Sequence, residues 1–425
     1  MKLEIADVGT KGDGIARSDG ETLFVPFTLA GETIRASGSP PHLALEDIIA
    51  ASPHRISPVC RHFGTCGGCA LQHMSEPASL EWKREQVLEA FSNEGLKAEV
   101  AACVASPPNA RRRVTFTARR GPNGIGFGFH ARASEEVVDI EQCPILLPRM
   151  ESQLDDLRKL TAMLIRGRED VQVQMTSCDN GIDLNFTMPD ELPESMITPF
   201  VRAFAKTQYL RASASVAGTS LVLVERAKPI IRFGDVEVPV PPGGFLQAVG
   251  PIENGMAELV TRHLKKSRTV ADLFSGSGTF SLRLAKRSRV HGVEFDQAAL
   301  DALVAGASEA SGAALKPVTV EQRDLHEAPL TIKELSRFDG LCLDPPRAGA
   351  LDQAREIASS TIGKVAYVSC NPKTLARDAA VLVGGGYRLV SATPFDQFTY
   401  TPHVEVVALF EKTTKKPKPI FGRRV

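Results

Sequence analysis

The chain has 425 residues, 43% hydrophobic and 24% charged, with 50 basic and 50 acidic side chains and a formal net charge of zero. That length exceeds one ordinary domain and predicts two or three, each able to bury a core. No apolar run approaches the roughly 20 residues that cross a bilayer, and the opening Met1-Lys-Leu-Glu-Ile-Ala-Asp7 mixes charged with apolar residues rather than forming a secretory signal, so a cytoplasmic chain with no membrane partner and no obligate protein partner is expected.

Residues 1–55 read as short strands punctuated by glycine, at 3–8, 22–27, 32–36 and 45–51, which predicts a small β-barrel. After Pro53 and Pro58 a second unit begins with Cys60-Arg-His-Phe-Gly-Thr-Cys66-Gly-Gly-Cys69. Eight cysteines in a large cytoplasmic chain point to metal binding or catalysis rather than disulfides. Three clustered thiols, with Cys143-Pro144 as a distant fourth, suit an iron–sulfur cubane better than zinc, the rival that prefers two paired Cys-x-x-Cys units. Cys103, Cys178 and Cys342 read as core residues.

Helical spacing follows at 79–94, then strands at 114–119 and 125–130 around the turn Gly121-Pro-Asn-Gly124. Six arginines and no acid lie between Arg111 and Arg132, interleaved with Phe116, Phe127 and Phe129, so this hairpin is a candidate RNA surface. Further strands are expected at 171–176, 182–187 and 221–225 and helices near 149–165 and 196–206, making 56–240 a mixed α+β unit. From 241 to 425 strands and helices alternate, with helices at 278–287, 297–309 and 351–359 and a strand at 364–369 among them, which predicts an α/β, doubly wound, Rossmann-like parallel sheet. The tail, with Lys412, Lys415, Lys416, Lys418, Arg423 and Arg424 against Glu411 alone, reads as a mobile basic end suited to phosphate.

Within this last unit, Val270-Ala-Asp-Leu-Phe-Ser-Gly-Ser-Gly-Thr-Phe280 is a strand entering a glycine turn and then a helix. Glu294 ends the next predicted strand, where an acid accepts both ribose hydroxyls. Ser281 stands where a dinucleotide fingerprint has its third glycine, so S-adenosylmethionine fits better than NAD. Asp324 and Asp344 end successive strands and converge on the same crevice. Asp344-Pro-Pro-Arg347 resembles the Asp-Pro-Pro-aromatic motif of amine-directed methyltransferases, with Arg347 replacing the aromatic. A lone cysteine ending a strand is usually a small buried hydrophobe. In Ser369-Cys370-Asn-Pro372, downstream of these motifs, Cys370 instead becomes a candidate nucleophile that adds to C6 of a pyrimidine and makes C5 able to attack a methyl group. Glu405, in Pro402-His-Val-Glu405, is the carboxylate available to remove the C5 proton, with His403 as the other candidate.

The stretch 243–410, with D-L-F-S-G-S-G-T, D-P-P-R-A-G, S-C-N-P and H-V-E segments in order, resembles the RNA uracil-C5 methyltransferase family. The resemblance implies Cys370 as nucleophile and Glu405 as proton acceptor, with Gln247, Phe274, Glu294, Asp324 and Asp344 around S-adenosylmethionine or the target base. Two positions depart from the family pattern: Val249 replaces the asparagine of Phe-x-Gln-x-Asn, and Thr399 follows Phe398 where proline is usual. The C-x5-C-G-G-C segment followed by Leu71-Gln-His73 resembles the family subset carrying a [4Fe-4S] cluster, which implies Cys60, Cys66, Cys69 and Cys143 as ligands. Gly12-Asp-Gly-Ile-Ala16 and Leu23-Phe-Val-Pro26 resemble the TRAM module, an RNA-binding barrel of the same subset. The subset acts on ribosomal RNA, so large-subunit ribosomal RNA is the expected substrate. A transfer-RNA methyltransferase and a catalytically silent RNA-binding iron–sulfur protein are the alternatives.

Overall fold

The computed structural model describes residues 1–425 apart from 19, 122, 123, 168, 311–313 and 414–425. The basic tail from Lys415 onward and the turn residues Pro122 and Asn123 therefore lie outside the described residues.

The last unit holds a seven-stranded sheet in the order Val318–Gln322, Arg289–Glu294, Thr269–Leu273, Gly340–Leu343, Lys364–Ser369, Glu405–Lys412, Tyr387–Phe395. Five strands are parallel, and near-continuous apolar runs such as Val270 to Leu273 and Val365 to Val368 are what a sheet covered on both faces requires. The expected all-parallel sheet is corrected at one edge: Glu405–Lys412 runs antiparallel to Lys364–Ser369. A short return from Tyr387–Phe395 allows this, because antiparallel neighbours need only a brief connection. The reversal places Glu405, which begins its strand, at the sheet end where the parallel strands finish. Strand order reverses beside Thr269–Leu273, the switch point where such sheets open a crevice.

The middle of the chain forms a second seven-stranded sheet, Thr219–Glu225, Arg211–Val216, Gly181–Thr187, Val171–Cys178, Arg113–Gly121, Gly124–His130, Val137–Asp139. Phe116 and Phe127 are buried in its core, with Phe129 packed against Phe116 at a ring separation of 5.1 Å. Their expected role in stacking on bases is thus corrected. The sheet's inner face claims them, because alternate strand residues share one side. The hairpin Ile230–Phe233/Val236–Pro239 packs Phe233 and Val238 against Leu282 and Leu303 of the catalytic unit. Helix Glu76–Asn93 likewise inserts Val87 and Phe91 into the core beneath Pro372–Gly384.

At the N-terminus six short strands form one sheet around Leu3, Ile5, Leu23, Val25 and Ile34. Residues 2–8 supply both of its edge strands, Lys2–Glu4 against Thr33–Ser39 and Asp7–Val8 against Gly14–Ser18, so the sheet curls until one segment spans its edges. Among the described residues no helix is long and apolar enough to cross a membrane.

Candidate active site

Parallel strands end together, so the loops after Leu273, Glu294, Gln322, Leu343 and Ser369 share one rim. In the first of them Gly276 adopts φ +51° with open space above its Cα, and Gly278, at φ +99°, would drive a Cβ to 2.5 Å from Leu303. Only glycine suits both positions. The buried Ser275 hydroxyl has no hydrogen-bond partner among the described residues. An open glycine turn with an unpartnered polar atom is a cradle that fits a polar small molecule such as a nucleoside. Ser281 Oγ donates to Asp272 at 2.6 Å and fixes the turn from beneath. Full burial pushes the Asp272 carboxyl up to about 7, against the lowering effect of that bond.

Glu294 accepts from the Gly276, Phe295 and Asp296 N–H groups at 3.0, 2.8 and 3.0 Å, which orients its carboxylate at the rim. Half-buried Phe274 lies 5.5 Å from the His326 ring, and Asp324 caps the His326 N–H at 2.9 Å. These three expected cofactor residues thus lie on neighbouring loops of one rim.

The other side of the crevice is tied more tightly. Asn371 Nδ2 and Thr374 Oγ1 donate to the Arg347 carbonyl at 3.1 and 3.2 Å, clamping the Asp-Pro-Pro-Arg loop to the turn that carries Cys370. Pairing of Ser369 with Val406 places Cys370 beside Glu405. Burial pushes the Cys370 thiol up to about 11, with the Glu405 and Asp344 carboxylates adding to the rise and the Arg347 guanidinium opposing it. Burial also holds Glu405 well above the ordinary carboxylate range, reinforced by Asp344. Such raised acids gather at catalytic centres because a proton acceptor works best with a pKa near the working pH. His403 is held below its usual value by burial and by neighbouring cations, and faces the cysteine cavity.

One residue absent from the sequence expectations joins these groups. Gln397 Nε2 donates to Gln247 Oε1 at 2.7 Å and to Glu405 Oε2 at 3.2 Å, while Gln247 Nε2 donates to Asp344 Oδ2 at 3.0 Å. The row Asp344, Gln247, Gln397, Glu405 is therefore continuous. Arg112 was also missed as a scaffold: its guanidinium reaches the Gln247 carbonyl at 2.9 Å and Glu253 at 2.6 Å, so it buttresses the crevice from beneath rather than meeting phosphate. Both residues look unremarkable in a linear reading, because neither a lone glutamine nor one arginine of three discloses its partner. Val249 is buried in the core beside Ile252, where an amide would need a partner, and Asp396 hydrogen-bonds the Thr399 side chain to shape the departing loop.

Cys60, Cys66, Cys69 and Cys143 line one cavity of about 470 Å³ with Arg111, and the 398–403 loop closes it. Burial raises the Cys66, Cys69 and Cys143 thiols, Cys69 to about 11, and mutual charge adds to each rise. Gly67 passes so near the His130 carbonyl that a Cβ would stand 2.7 Å from it, so the backbone folds tightly around the cavity. Among the described residues no three His, Cys, Asp or Glu side chains are grouped closely enough to hold a metal ion. Four thiols around one roomy cavity fit a polynuclear cluster, which takes one thiolate at each of four corners. The Tyr400 carbonyl accepts from Ala70 N–H at 2.8 Å and Leu71 N–H at 2.9 Å, tying the cysteine segment to the loop that leads into Glu405.

Residues 240–413 match the family described as tRNA (Uracil-5-)-methyltransferase. Over its length the chain is 44% identical to an uncharacterized RNA methyltransferase of Mesorhizobium japonicum, covering 98% of this chain and 99% of that one. It is 33% identical to the 23S rRNA (uracil(1939)-C(5))-methyltransferase RlmD of Halomonas elongata, covering 96% and 89%. In fold it is similar to the Pyrococcus abyssi tRNA (uracil-54, C5)-methyltransferase solved with S-adenosyl-L-homocysteine, at a TM-score of 0.74 and 23% identity, covering 96% and 100%.

Proposed function

Since the chain belongs to the RNA uracil-C5 methyltransferase family, we propose that it methylates a uridine of large-subunit ribosomal RNA through a covalent adduct between Cys370 and C6. The adjacency of Cys370 and Glu405 across paired strands carries this reading. The ribosomal substrate is supported by end-to-end similarity to the Halomonas elongata protein. A transfer-RNA substrate is the alternative.

S-Adenosylmethionine fits the glycine cradle and, when bound, supplies an electrophilic methyl group. In this reading Glu294 takes the ribose, Phe274 and Asp324 flank the adenine, and Asp344 and Gln247 face the reacting end. The Cys370 thiol gives its proton to Asp344, Arg347 stabilises the thiolate, and Glu405 is left to accept the later proton. Addition of sulfur to C6 of a flipped uracil forms a C–S bond and moves the electron pair toward C5, which takes the methyl group as its bond to the donor sulfonium breaks and S-adenosylhomocysteine leaves. Glu405, ionised at this stage, removes the C5 proton; the pair then restores the C5–C6 double bond and expels the thiolate. Cys60, Cys66, Cys69 and Cys143 are the residues that would hold a [4Fe-4S] cluster, in a structural or RNA-positioning capacity. The curled sheet of residues 1–55 serves as a TRAM-like RNA-binding unit, followed by the central unit 56–240 and the methyltransferase unit 241–425, all in the cytoplasm.

RNA containing 5-fluorouridine tests the adduct, because fluorine at C5 cannot be removed as a proton. A covalent complex is expected with the wild-type chain and none with Cys370→Ala. Absence of any adduct in the presence of bound S-adenosylmethionine overturns the mechanism. Mapping 5-methyluridine in ribosomal and transfer RNA of cells with and without the protein decides the substrate.

A further inference from the structure

The sequence carries the same four-residue pattern twice, Lys265-Lys-Ser-Arg268 and Lys286-Arg-Ser-Arg289. Each run follows a helix of the catalytic unit, Gly250–Leu264 or Ser281–Leu284, and enters one of two adjacent parallel strands. Parallel pairing therefore brings both runs to the same end of the sheet, opposite the rim that bears Cys370. The serines turn inward: Ser267 and Ser288 are buried, and Ser288 Oγ donates to the Ser267 carbonyl at 2.7 Å. Arg289 N–H donates to the Arg268 carbonyl at 2.9 Å, locking the two turns side by side. All six cations of the two runs are exposed, with Arg262 beside them.

Between the runs lies a groove of about 480 Å³ that Arg262, Lys265, Lys286 and Arg287 line together with the half-buried Arg283 and a single acid, Glu258. Among the described residues, Lys286 pairs with Asp235 and Arg262 meets Glu258 at 3.8 Å, whereas Lys265, Lys266, Arg268, Arg287 and Arg289 have no ion-pair partner. Favourable interaction with helix C-termini accounts for Lys265 and Lys286. It does not account for Arg268 and Arg289, which flank paired strand starts where like charges repel. The Asp339 carboxylate at this end of the sheet accepts from the Arg268 and Thr269 N–H groups, at 3.0 Å each, rather than pairing with the side chains of either run.

We infer that this twin turn is a second RNA-binding surface, which grips the phosphodiester backbone of a segment remote from the target uridine. The inference rests on the RNA-methyltransferase reading and extends it. Strands of five or six residues separate the patch from the catalytic rim by about 16–20 Å, so one short hairpin seated at Cys370 does not reach it, whereas a large folded RNA wraps from one end of the sheet to the other. Phosphate contacts of this kind position a nucleic acid and carry no sequence choice.

The test compares wild type with Lys265→Gln/Lys266→Gln/Arg287→Gln/Arg289→Gln, both as full chains, in direct binding to a long folded ribosomal RNA domain and to a short uridine-loop hairpin. For the long RNA we expect affinity to fall at least about tenfold, and the slope of log K against log salt to become shallower by roughly 0.7–0.9 for each phosphate that is no longer neutralised. The hairpin should change by less than about twofold, and thermal stability should not fall. Unchanged long-RNA affinity and slope overturn the inference, as does an equal weakening on both RNAs, which would mean a uniform change in charge. If the variant's weakening appears only on anionic lipid vesicles, the surface is a membrane contact and the inference also fails. Because the measurement is binding, it stands apart from methylation: wild type that binds RNA through this patch without methylating it refutes the functional reading and leaves the surface intact.

Discussion

Gln397 illustrates how one neutral side chain organises charged neighbours. Its amide nitrogen serves Gln247 and Glu405 together, while its buried oxygen has no partner among the described residues. The hydrogen bond to Glu405 favours the ionised carboxylate and so opposes the rise that burial causes. Gln397→Leu should lower kcat about five- to thirtyfold, the equivalent of one transition-state hydrogen bond of about 1–2 kcal/mol. It should also move the acidic limb of the pH–rate profile to higher pH, because Glu405 then gains a proton more readily. A purely structural role would reduce stability without moving that limb. Glu405→Gln should instead accumulate the covalent adduct, visible as an RNA-linked band. Asp272 offers a separate check on stability. Its acid is raised from 3.8 to about 7 in the folded chain, so its contribution is complete below about pH 4 and is lost as pH rises through 7. Asp272→Asn, which keeps a hydrogen-bond acceptor for Ser281, should flatten that decline in Tm. Cysteines and carboxylates at motif positions were legible in the sequence because their chemistry is distinctive. Gln397 and Arg112 were not, because their meaning comes entirely from partners distant in the chain.

Regular elements were legible where the pattern was strong and unclear where it was weak. Helices at 297–309 and 351–359 and the strand at 364–369 have the expected limits, since apolar periodicity and flanking breakers agree there. The helix expected over 278–287 contracts to Ser281–Leu284, as the glycine turn consumes its start. Strand Arg211–Val216 escaped notice because Arg-Ala-Ser-Ala-Ser-Val has almost none of the β-branched or aromatic residues that mark strands. The loop between Phe395 and Glu405 is held by a pairing no local pattern encodes: fully buried Lys83, on helix Glu76–Asn93, bonds Asp396 and donates to the Phe398 carbonyl at 3.1 Å. Removing one partner strands the other charge. Lys83→Met should cost about 3–5 kcal/mol in denaturant unfolding, and Lys83→Met/Asp396→Leu less than that single change.

For the whole molecule, the cysteine cavity and the catalytic crevice share a wall. The Tyr400 carbonyl that holds Ala70 and Leu71 belongs to the loop delivering Gln397 and Glu405. Cys69→Ala should therefore lower thermal stability and long-RNA affinity, with methylation falling as a consequence of the displaced loop. A Cys69→Ala protein normal in all three measurements would contradict this coupling. The boundaries read from composition near 55 and 240 mark changes of local pattern, yet packing crosses them, because helix Glu76–Asn93 and the 230–239 hairpin both complete the catalytic core.

That crossing also sets an order of events during synthesis. Helix Glu76–Asn93 leaves the ribosome early, but Pro372–Gly384, its partner over Val87 and Phe91, is made roughly 280 residues later, a delay of about 15–60 s at bacterial and eukaryotic elongation speeds. Throughout that interval an apolar helix face waits without its cover, open to chaperones and proteases. Nascent chains stalled before residue 372 should be cut within this helix, and full-length chains should resist. The catalytic crevice is likewise closed only when the strand Glu405–Lys412, made after helix Pro372–Gly384, arrives and delivers Glu405 beside Cys370.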